Sequence, residues 1–284
     1  MKITHQYVNR VGARRPVRIV LIGAGGNGSA VLFGLPYLHH ALIAWGAAAG
    51  LDVVVMDGDT VSPTNCVRQP FGAADIGHNK ANILVNRVNL FHQFNWEARD
   101  AYFAADERHS IHDHFDSTID FVISCVDTRA ARRAMHEAFN STTGPWQDVS
   151  YWLDLGNAAT HGQFVLGQPR NSSNPASTTR LRTVTELFPS IMDTSLGEGD
   201  LPSCSAAEAL ERQHPFVNNV LAANALSMLT RLLRYRQLDH HGAFCNTESG
   251  RSVPLPIDPE AWKKAAAKLK RQALKAAAAP PKPN

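Results

Sequence analysis

The sequence predicts an α/β fold in which a mixed, largely parallel sheet is flanked by helices. Two observations predict this class. Strand-like apolar runs alternate with helix-like segments between residues 17 and 167. The first of these runs ends in a glycine-rich turn that a helical segment follows, as in βαβ units. Since 44% of the 284 residues are hydrophobic and 19% are charged, the chain can form a packed core and is not wholly disordered.

The elements follow in order along the chain. Strands are predicted at 17–22, 51–57, 121–124, 151–156 and 163–167, and helices after the glycine turn and at 80–90, 129–139 and 216–236. We expect the first helix to be interrupted by Pro36, because proline lacks the N–H group and clashes with the preceding turn.

Composition divides the chain into an N-terminal arm (1–16), a domain (17–257) and an Ala/Lys-rich tail (258–284). Within the domain, 36–50 is predicted to be an insertion in the first crossover. Asp57 follows Gly28 by 29 residues, whereas the acidic residue of an ordinary unit follows its turn by about 20. The segment 169–203 is predicted to be a flexible loop, since nine of the eleven residues 169–179 are Pro, Ser, Thr or Asn.

Charge and composition exclude several function classes. The formal net charge of +3 combines a tail with seven basic residues and one acid (260–284, +6) with a body of −3, so nucleic-acid binding is not expected. No apolar run predicts a membrane span and no secretory signal is evident, so we expect a cytoplasmic protein without membrane contact. The four cysteines stand 59, 79 and 41 residues apart, which fits no Cys-x-x-Cys zinc site.

The glycine turn predicts a phosphate-binding site. Its residues run Gly-Ala-Gly-Gly-Asn-Gly and include Gly23, Gly25, Gly26 and Gly28. Glycines let the backbone approach a ligand, while free amides and the helix dipole face an anion. The turn by itself is also typical of NAD-dependent oxidoreductases, which therefore remain an alternative.

Charged residues after the second strand favour a triphosphate over a dinucleotide. Asp57, at the end of that strand, can accept hydrogen bonds from ribose hydroxyls. Arg68 and Lys80 follow within 23 residues, and two cations would neutralise the charge that develops on a triphosphate. Asp127 lies just past a later strand, where a carboxylate can hold Mg²⁺ against phosphate oxygens.

This combination of motifs resembles the ubiquitin-activating (E1-like) superfamily of ThiF and MoeB over residues 17–167. The later part of the chain, with Ser203-Cys204-Ser205 and Pro254-Leu255-Pro256, is similar to the ThiF-family proteins of PRTRC systems. The resemblance implies a Rossmann-like ThiF/E1 fold and a homodimer. It also implies adenylation, with ATP and Mg²⁺, of the C-terminal carboxylate of a small ubiquitin-like (β-grasp) protein.

The resemblance implies a role for individual residues as well. They are Gly23, Gly25, Gly26 and Gly28 for phosphate, Asp57 for ribose, Asn65, Arg68, Gln69 and Lys80 for the triphosphate, and Asp127 for the metal ion.

The sequence departs from the superfamily pattern in several places. The Cys-x-x-Cys pairs that hold zinc in many relatives are missing, so no structural zinc is expected. Thr128 follows the strand-end acid where Asn is usual. Relatives carry an arginine that reaches the ATP of a partner subunit, and only Arg10, Arg14 and Arg15 are candidates here.

Cys204 is the candidate nucleophile for a thioester step after adenylation. It precedes a capping-box pattern (205–208) that would place its thiol at a helix N-terminus, where the pKa of a thiol falls. A small residue in an exposed loop is the alternative interpretation. For the whole chain, a nucleotide-binding scaffold without turnover is the alternative to an enzyme.

Overall fold

The computed structural model describes residues 4–6, 15–47, 49–105, 119–174, 176–196, 214–264 and 267. The strands are β1 (His5–Gln6), β2 (Val17–Ile22), β3 (Leu51–Met56), β4 (Glu97–Arg99), β5 (Phe121–Ser124), β6 (Tyr151–Asn157), β7 (His161–Gly167), β8 (Gln237–Leu238), β9 (His240–Asn246) and β10 (Arg251–Pro256). The helices are α1 (Gly26–Ala44), α2 (Asn65–Arg68), α3 (Lys80–His92), α4 (Arg129–Phe139), α5 (Val184–Leu187) and α6 (Val217–Tyr235). Short 3-10 helices occur at Ala73–Asp75, Pro189–Met192 and Thr194–Leu196.

The main sheet has eight strands in the order β4-β3-β2-β5-β6-β7-β9-β10. The first five are parallel, and β7, β9 and β10 add antiparallel pairs. The predicted mixed, largely parallel sheet flanked by helices is therefore confirmed. From β2 the chain moves outward to β3 and β4, then returns to β5 on the other side of β2. Ligands of such sheets bind where the direction reverses, outside the carboxyl ends of the strands.

Helices cover both faces of this sheet. On one face α1 packs between α3 and α6, and a large apolar cluster joins them to β2, β3 and β5. On the other face α4 contributes Met135 and Phe139 to a smaller cluster that includes Trp146 and Trp152. Burial on both faces explains why the parallel strands read as continuous apolar runs. No helix in the described part of the chain has the length and apolar character that crossing a membrane requires.

The predicted interruption at Pro36 is wrong, because α1 continues through it to Ala44. Leu32, Leu35 and Leu38 are buried on either side of the proline. A proline inside a helix costs about 3 kcal/mol, whereas each buried leucine contributes about 1.5–3 kcal/mol. Packing along the helix thus outweighs the lost hydrogen bond. Residues 36–44 of the predicted insertion form the second half of α1.

The segment predicted to be a flexible loop is described at 169–174 and 176–196. Asn171 and Asn174 are buried there, and both donate side-chain hydrogen bonds to the carbonyl of Val149, at 2.8 and 3.1 Å. Further along, α5 begins with a capping box between Thr183 and Glu186. These contacts attach the beginning of the segment to the domain, and its flexibility stays a prediction. Cys204 lies outside the described residues.

Candidate functional site

The glycine turn between β2 and α1 requires glycine at two positions. Gly23 has φ +92°, and a Cβ there would stand 2.8 Å from the carbonyl oxygen of Cys125. A Cβ at Gly28 would clash with the carbonyl oxygen of Gly23. These contacts bring the turn against the end of β5, at the point where the strand order reverses.

Gly25 and the N-terminus of α1 form an open cradle. A Cβ at Gly25 would meet no atom within 4 Å, and Gly25 provides no side-chain cap for the helix. The first amides of α1 therefore keep the unmet hydrogen-bonding capacity that binds anions at helix N-termini. Because Gly25 leaves space beside those amides, the turn fits a nucleotide phosphate.

Asp57 follows β3 and connects it to the glycine turn. Its Oδ2 accepts a hydrogen bond from the Ala24 amide at 2.5 Å, and its Oδ1 accepts one from the Asp59 amide at 2.8 Å. Burial raises the pKa of Asp57, although these two amides and the ammonium of Lys80 oppose the rise. Each oxygen retains a further lone pair, so the fixed carboxylate can accept ribose hydroxyls beside the phosphate cradle.

Lys80 is the first residue of α3 and is buried. Its Nζ lies 2.8 Å from Oδ2 of Asp59, whose Oδ1 accepts a 2.7 Å hydrogen bond from the Tyr102 hydroxyl. Burial acts to raise the pKa of Asp59, but Lys80 and Tyr102 outweigh it, and the pKa lies below its ordinary value. Lys80 is thus linked to Asp57 through Asp59, and its charge is balanced by that exposed acid.

Asn79, which sequence reasoning missed, holds this loop together. Its side chain caps α3 by accepting a hydrogen bond from the Asn82 amide. Its Nδ2 donates to the carbonyl of Asp57 at 2.7 Å and to Oδ1 of Asp100 at 2.8 Å. An Asn just before a helical pattern is a recognisable N-cap signal, but its link to Asp57 depends on how the loop closes.

The predicted triphosphate residues Asn65, Arg68 and Gln69 lie at α2, after β3. Asn65 begins this helix, and its Oδ1 accepts a 2.9 Å hydrogen bond from the Ser62 amide. Arg68 is partly buried, and burial lowers the pKa of its guanidinium. Oε1 of Gln69 is buried and has no hydrogen-bond partner within the described ranges. The three residues lie within one stretch of five, on and directly after α2.

Asp127 is exposed just after β5. Thr128 caps the following helix α4, its Oγ1 accepting a 3.2 Å hydrogen bond from the Ala131 amide. A nucleotide-bound Mg²⁺ needs one or two carboxylates in addition to phosphate and water, so a single exposed carboxylate at this edge fits the ion. Among the described residues, no group of three or more His, Cys, Asp and Glu could hold a metal ion. The absence of zinc stays a prediction.

A buried ion pair between α4 and β6 was also missed. Arg132 Nε lies 3.2 Å from Oδ1 of Asp154, a fully buried residue. The same Oδ1 accepts a 2.7 Å hydrogen bond from Ser124, and Ser124 Oγ accepts one from Trp152 Nε1 at 2.7 Å. An acid inside the apolar strand run 151–156 was the available signal, since a buried carboxylate requires a partner.

Cys125 and Arg15 are held by contacts within the chain. Burial raises the pKa of the Cys125 thiol, and the Asp154 carboxylate adds to the rise, so this cysteine remains a protonated thiol. Arg15 lies just before β2, at the amino ends of the parallel strands. Its guanidinium makes two hydrogen bonds with Asp120, at 2.7 and 2.8 Å. Arg10 and Arg14 are outside the described residues.

Comparison with known proteins gives a family and several structural neighbours. The ThiF family model matches residues 13–252 of the chain. No curated protein matches it in sequence.

Solved structures with a similar fold include PaaA, with a TM-score of 0.55 and 15% identity over 85% of this chain and 73% of that one. Escherichia coli MccB with bound ATP has a TM-score of 0.52 and 15% identity over 85% of this chain and 64% of its own. Another structure contains MccB, named as a microcin C7 biosynthetic enzyme, with N-formylated MccA at 15% identity and a TM-score of 0.51. The chain thus spans less than two thirds of MccB. At these identities the likeness shows the shared fold.

Proposed function

The chain belongs to the ThiF family, and on that premise we propose that it adenylates a C-terminal carboxylate with ATP and Mg²⁺. The substrate is the C-terminus of a small ubiquitin-like (β-grasp) protein. One observation carries the proposal: the Ala24 amide of the glycine turn donates to Asp57. This hydrogen bond holds Asp57 beside the glycine turn, which supports ribose binding by Asp57 next to phosphate binding by the turn.

Tyr102 supports the nucleotide assignment. The ring packs on Gly58, where a Cβ would stand 2.7 Å from it, and 69% of the residue is exposed. An exposed aromatic face next to the ribose acid offers a stacking surface for a base. Asp57, Gly25 and Tyr102 would then contact ribose, phosphate and base respectively.

The cations at this edge suit a triphosphate. In the proposed complex, Lys80 turns from Asp59 to the phosphates, and Arg68 approaches them from α2. Asp127 holds Mg²⁺, which neutralises charge on the phosphate oxygens. Asn65 and Gln69 contribute amide groups from the same helix turn.

The reaction needs orientation more than proton transfer. A terminal carboxylate is ionised at pH 7, so its oxygen can attack the α-phosphorus without a general base. The new P–O bond forms as the bond to the β-phosphate breaks, and pyrophosphate leaves with the electron pair. The amides of α1 and the cations Arg68 and Lys80 stabilise the charge that develops.

Two MccB structures support a nucleotide and a second ligand in this fold, since one contains ATP and another contains N-formylated MccA. We extend to this chain the idea of a polypeptide substrate bound beside ATP. A homodimer and acyl transfer to Cys204 are further parts of the proposal, both resting on the superfamily resemblance.

ATP–pyrophosphate exchange tests the proposal directly. Purified protein is mixed with ATP, Mg²⁺ and a candidate β-grasp protein, and we expect exchange that depends on all three components. An Asp127→Ala variant should lose exchange, while Glu137→Gln, an exposed acid on α4, should retain it. ATP binding without exchange would indicate a scaffold, and tighter binding of NAD than of ATP would indicate an oxidoreductase.

A further inference from the structure

Three asparagines surround the N-terminus of α1 beside the glycine turn. Asn27, the second residue of that helix, donates from Nδ2 to Oδ1 of Asn157 at the end of β6, at 2.7 Å. Asn218, near the start of α6, packs against Gly26, where a Cβ would clash with its amide nitrogen. The three residues come from distant parts of the sequence and meet where the phosphate cradle faces the β6–β7 side of the sheet.

The amide oxygen of Asn27 is buried and has no hydrogen-bond partner among the described residues. Asn27 is 8% exposed, and its Oδ1 makes no hydrogen bond to any part of the chain that the structure describes. Asn157 is fixed in turn, because its own Nδ2 donates to the carbonyl of Ala158 at 3.0 Å. The amide of Asn27 is therefore oriented with the nitrogen satisfied and the oxygen left over. A buried acceptor without a donor costs about 1–3 kcal/mol, which a ligand that donates a hydrogen bond can recover.

A ligand of this acceptor must donate a hydrogen bond. Phosphate oxygens are themselves acceptors at pH 7, so the phosphates next to the glycine turn cannot satisfy Asn27 Oδ1. A peptide N–H can. Asn218, which is 4% exposed, adds an amide that can pair with either a peptide N–H or a carbonyl. The members of the cluster are uncharged, and the donor and acceptor atoms of their amides match the carbonyl and N–H of a peptide group.

We propose that Asn27, Asn157 and Asn218 bind the main chain of the last two residues of the polypeptide substrate. Asn27 Oδ1 accepts the N–H of the terminal peptide bond, and Asn157 keeps Asn27 in that orientation. The terminal carboxylate is then held next to the phosphate cradle, in position for attack. This inference rests on the proposed adenylation and names how that site positions its second substrate.

The probe for this site is N-acetylglycylglycine, which presents two terminal residues and a free carboxylate. Its binding is measured by NMR of the ¹⁵N-labelled protein with Mg²⁺ and a non-hydrolysable ATP analogue. We expect it to shift the side-chain amide signals of Asn27 and Asn218. N-methylation of the terminal peptide nitrogen, which removes the N–H, should weaken binding about 10-fold, the equivalent of one hydrogen bond.

Substitutions separate the peptide site from the nucleotide site. Asn27→Leu should weaken the probe about 10-fold and abolish the effect of N-methylation. Asn157→Ala, at the end of β6 and outside the glycine turn, should weaken the probe while the Kd of the ATP analogue changes less than about 2-fold. Asn218→Ala should also weaken the probe. Asn219→Ala, an exposed neighbour on the same helix, should leave it unchanged. Melting temperatures of all variants show whether each is folded.

Three results would overturn the inference: a probe that does not shift the wild-type signals, equal binding of the N-methylated probe, or a parallel loss of ATP-analogue affinity in Asn157→Ala. Failure of the proposed function is seen separately, as absent pyrophosphate exchange with the complete β-grasp protein. If pyrophosphate exchange is observed but the N-methylated probe binds as well as the unmethylated one, the proposed function is supported and this peptide site is contradicted.

Discussion

Acidic and basic residues have different partners at the carboxyl ends of the parallel strands (the carboxyl edge) and at their amino ends (the opposite edge). At the carboxyl edge, Asp57 accepts one hydrogen bond on each oxygen, and Lys80 pairs with the exposed Asp59. At the opposite edge, Asp120 accepts two hydrogen bonds from Arg15 and one from the Arg18 amide. Charges at that edge are bound to one another and stabilise the fold, whereas those at the carboxyl edge retain atoms that can contact a ligand.

The histidines of the opposite edge extend the contrast. His5 bonds to the Tyr151 hydroxyl at 2.9 Å, and His241 Nδ1 bonds to the carbonyl of Leu166 at 2.7 Å. Burial lowers the pKa of both rings to about 4. Both histidines are therefore neutral at pH 7 and stabilise the fold. The titratable residues of the carboxyl edge differ because they keep atoms that can contact a ligand.

The largest expected effect is on catalysis at the carboxyl edge. Lys80→Met should reduce pyrophosphate exchange at least about 1000-fold, or about 4 kcal/mol, because the developing phosphate charge loses a cation. Arg15→Met removes a cation at the other edge and should keep exchange within about 3-fold once folded protein is measured. Similar losses in both variants would contradict the division between the edges.

The second effect is on stability, where α4 meets β6. Asp154→Asn leaves Arg132 buried without an opposite charge, and we expect the free energy of unfolding to fall by about 3 kcal/mol. Urea denaturation measures this change. The exposed pair Arg133–Glu137 provides the control, since Glu137→Gln should cost less than about 0.5 kcal/mol. Equal effects would show that the Arg132–Asp154 pair is not desolvated.

The third effect is on the pH dependence of the free energy of unfolding, which the buried histidines of the opposite edge cause. The pKa of His241 is about 4 when folded and 6.5 when unfolded, so below pH 6.5 the unfolded chain binds the proton first. The free energy of unfolding should therefore fall between pH 6.5 and 5, by up to about 2 kcal/mol from this residue. His241→Gln should remove this residue's contribution and leave the one from His5, whose pKa is also about 4. An unchanged slope would place the titration elsewhere.

The smallest expected effect concerns Cys204, which lies outside the described residues. Cys204→Ala should leave pyrophosphate exchange unchanged, because adenylation precedes any acyl transfer to a thiol. It should remove a covalent adduct with the β-grasp protein, measured by mass spectrometry of the non-reduced mixture. Loss of exchange in this variant would show that the cysteine acts before or during adenylation.

Much of the carboxyl edge could be predicted from the sequence, because its signals are local. A strand that runs directly into glycines predicts the turn, and residues that follow parallel strands collect at one edge of a sheet. Asp57 and Asp127 are accordingly found where strand ends place them. The hydrogen bonds of Asp57 depend also on how the glycine turn and the following loop fold against it. The roles of both residues in nucleotide binding stay predictions.

The interruption at Pro36 shows where local reasoning fails. Proline disfavours a helix through its own backbone, but the burial of Leu32, Leu35 and Leu38 depends on the sheet and on α6. That burial is a property of the folded chain and exceeds the local cost.

The amino-acid sequence by itself determined the α/β class, the glycine turn and the order of acids and cations behind it. The tertiary structure alone determined which of those groups satisfy one another. Lys80 meets Asp59, Arg132 meets Asp154, and Asn27 meets Asn157 across 130 residues. Periodicity and turn chemistry act over a few residues, whereas hydrogen bonds and ion pairs depend on distances of about 3 Å between groups that only the packed sheet and helices bring together.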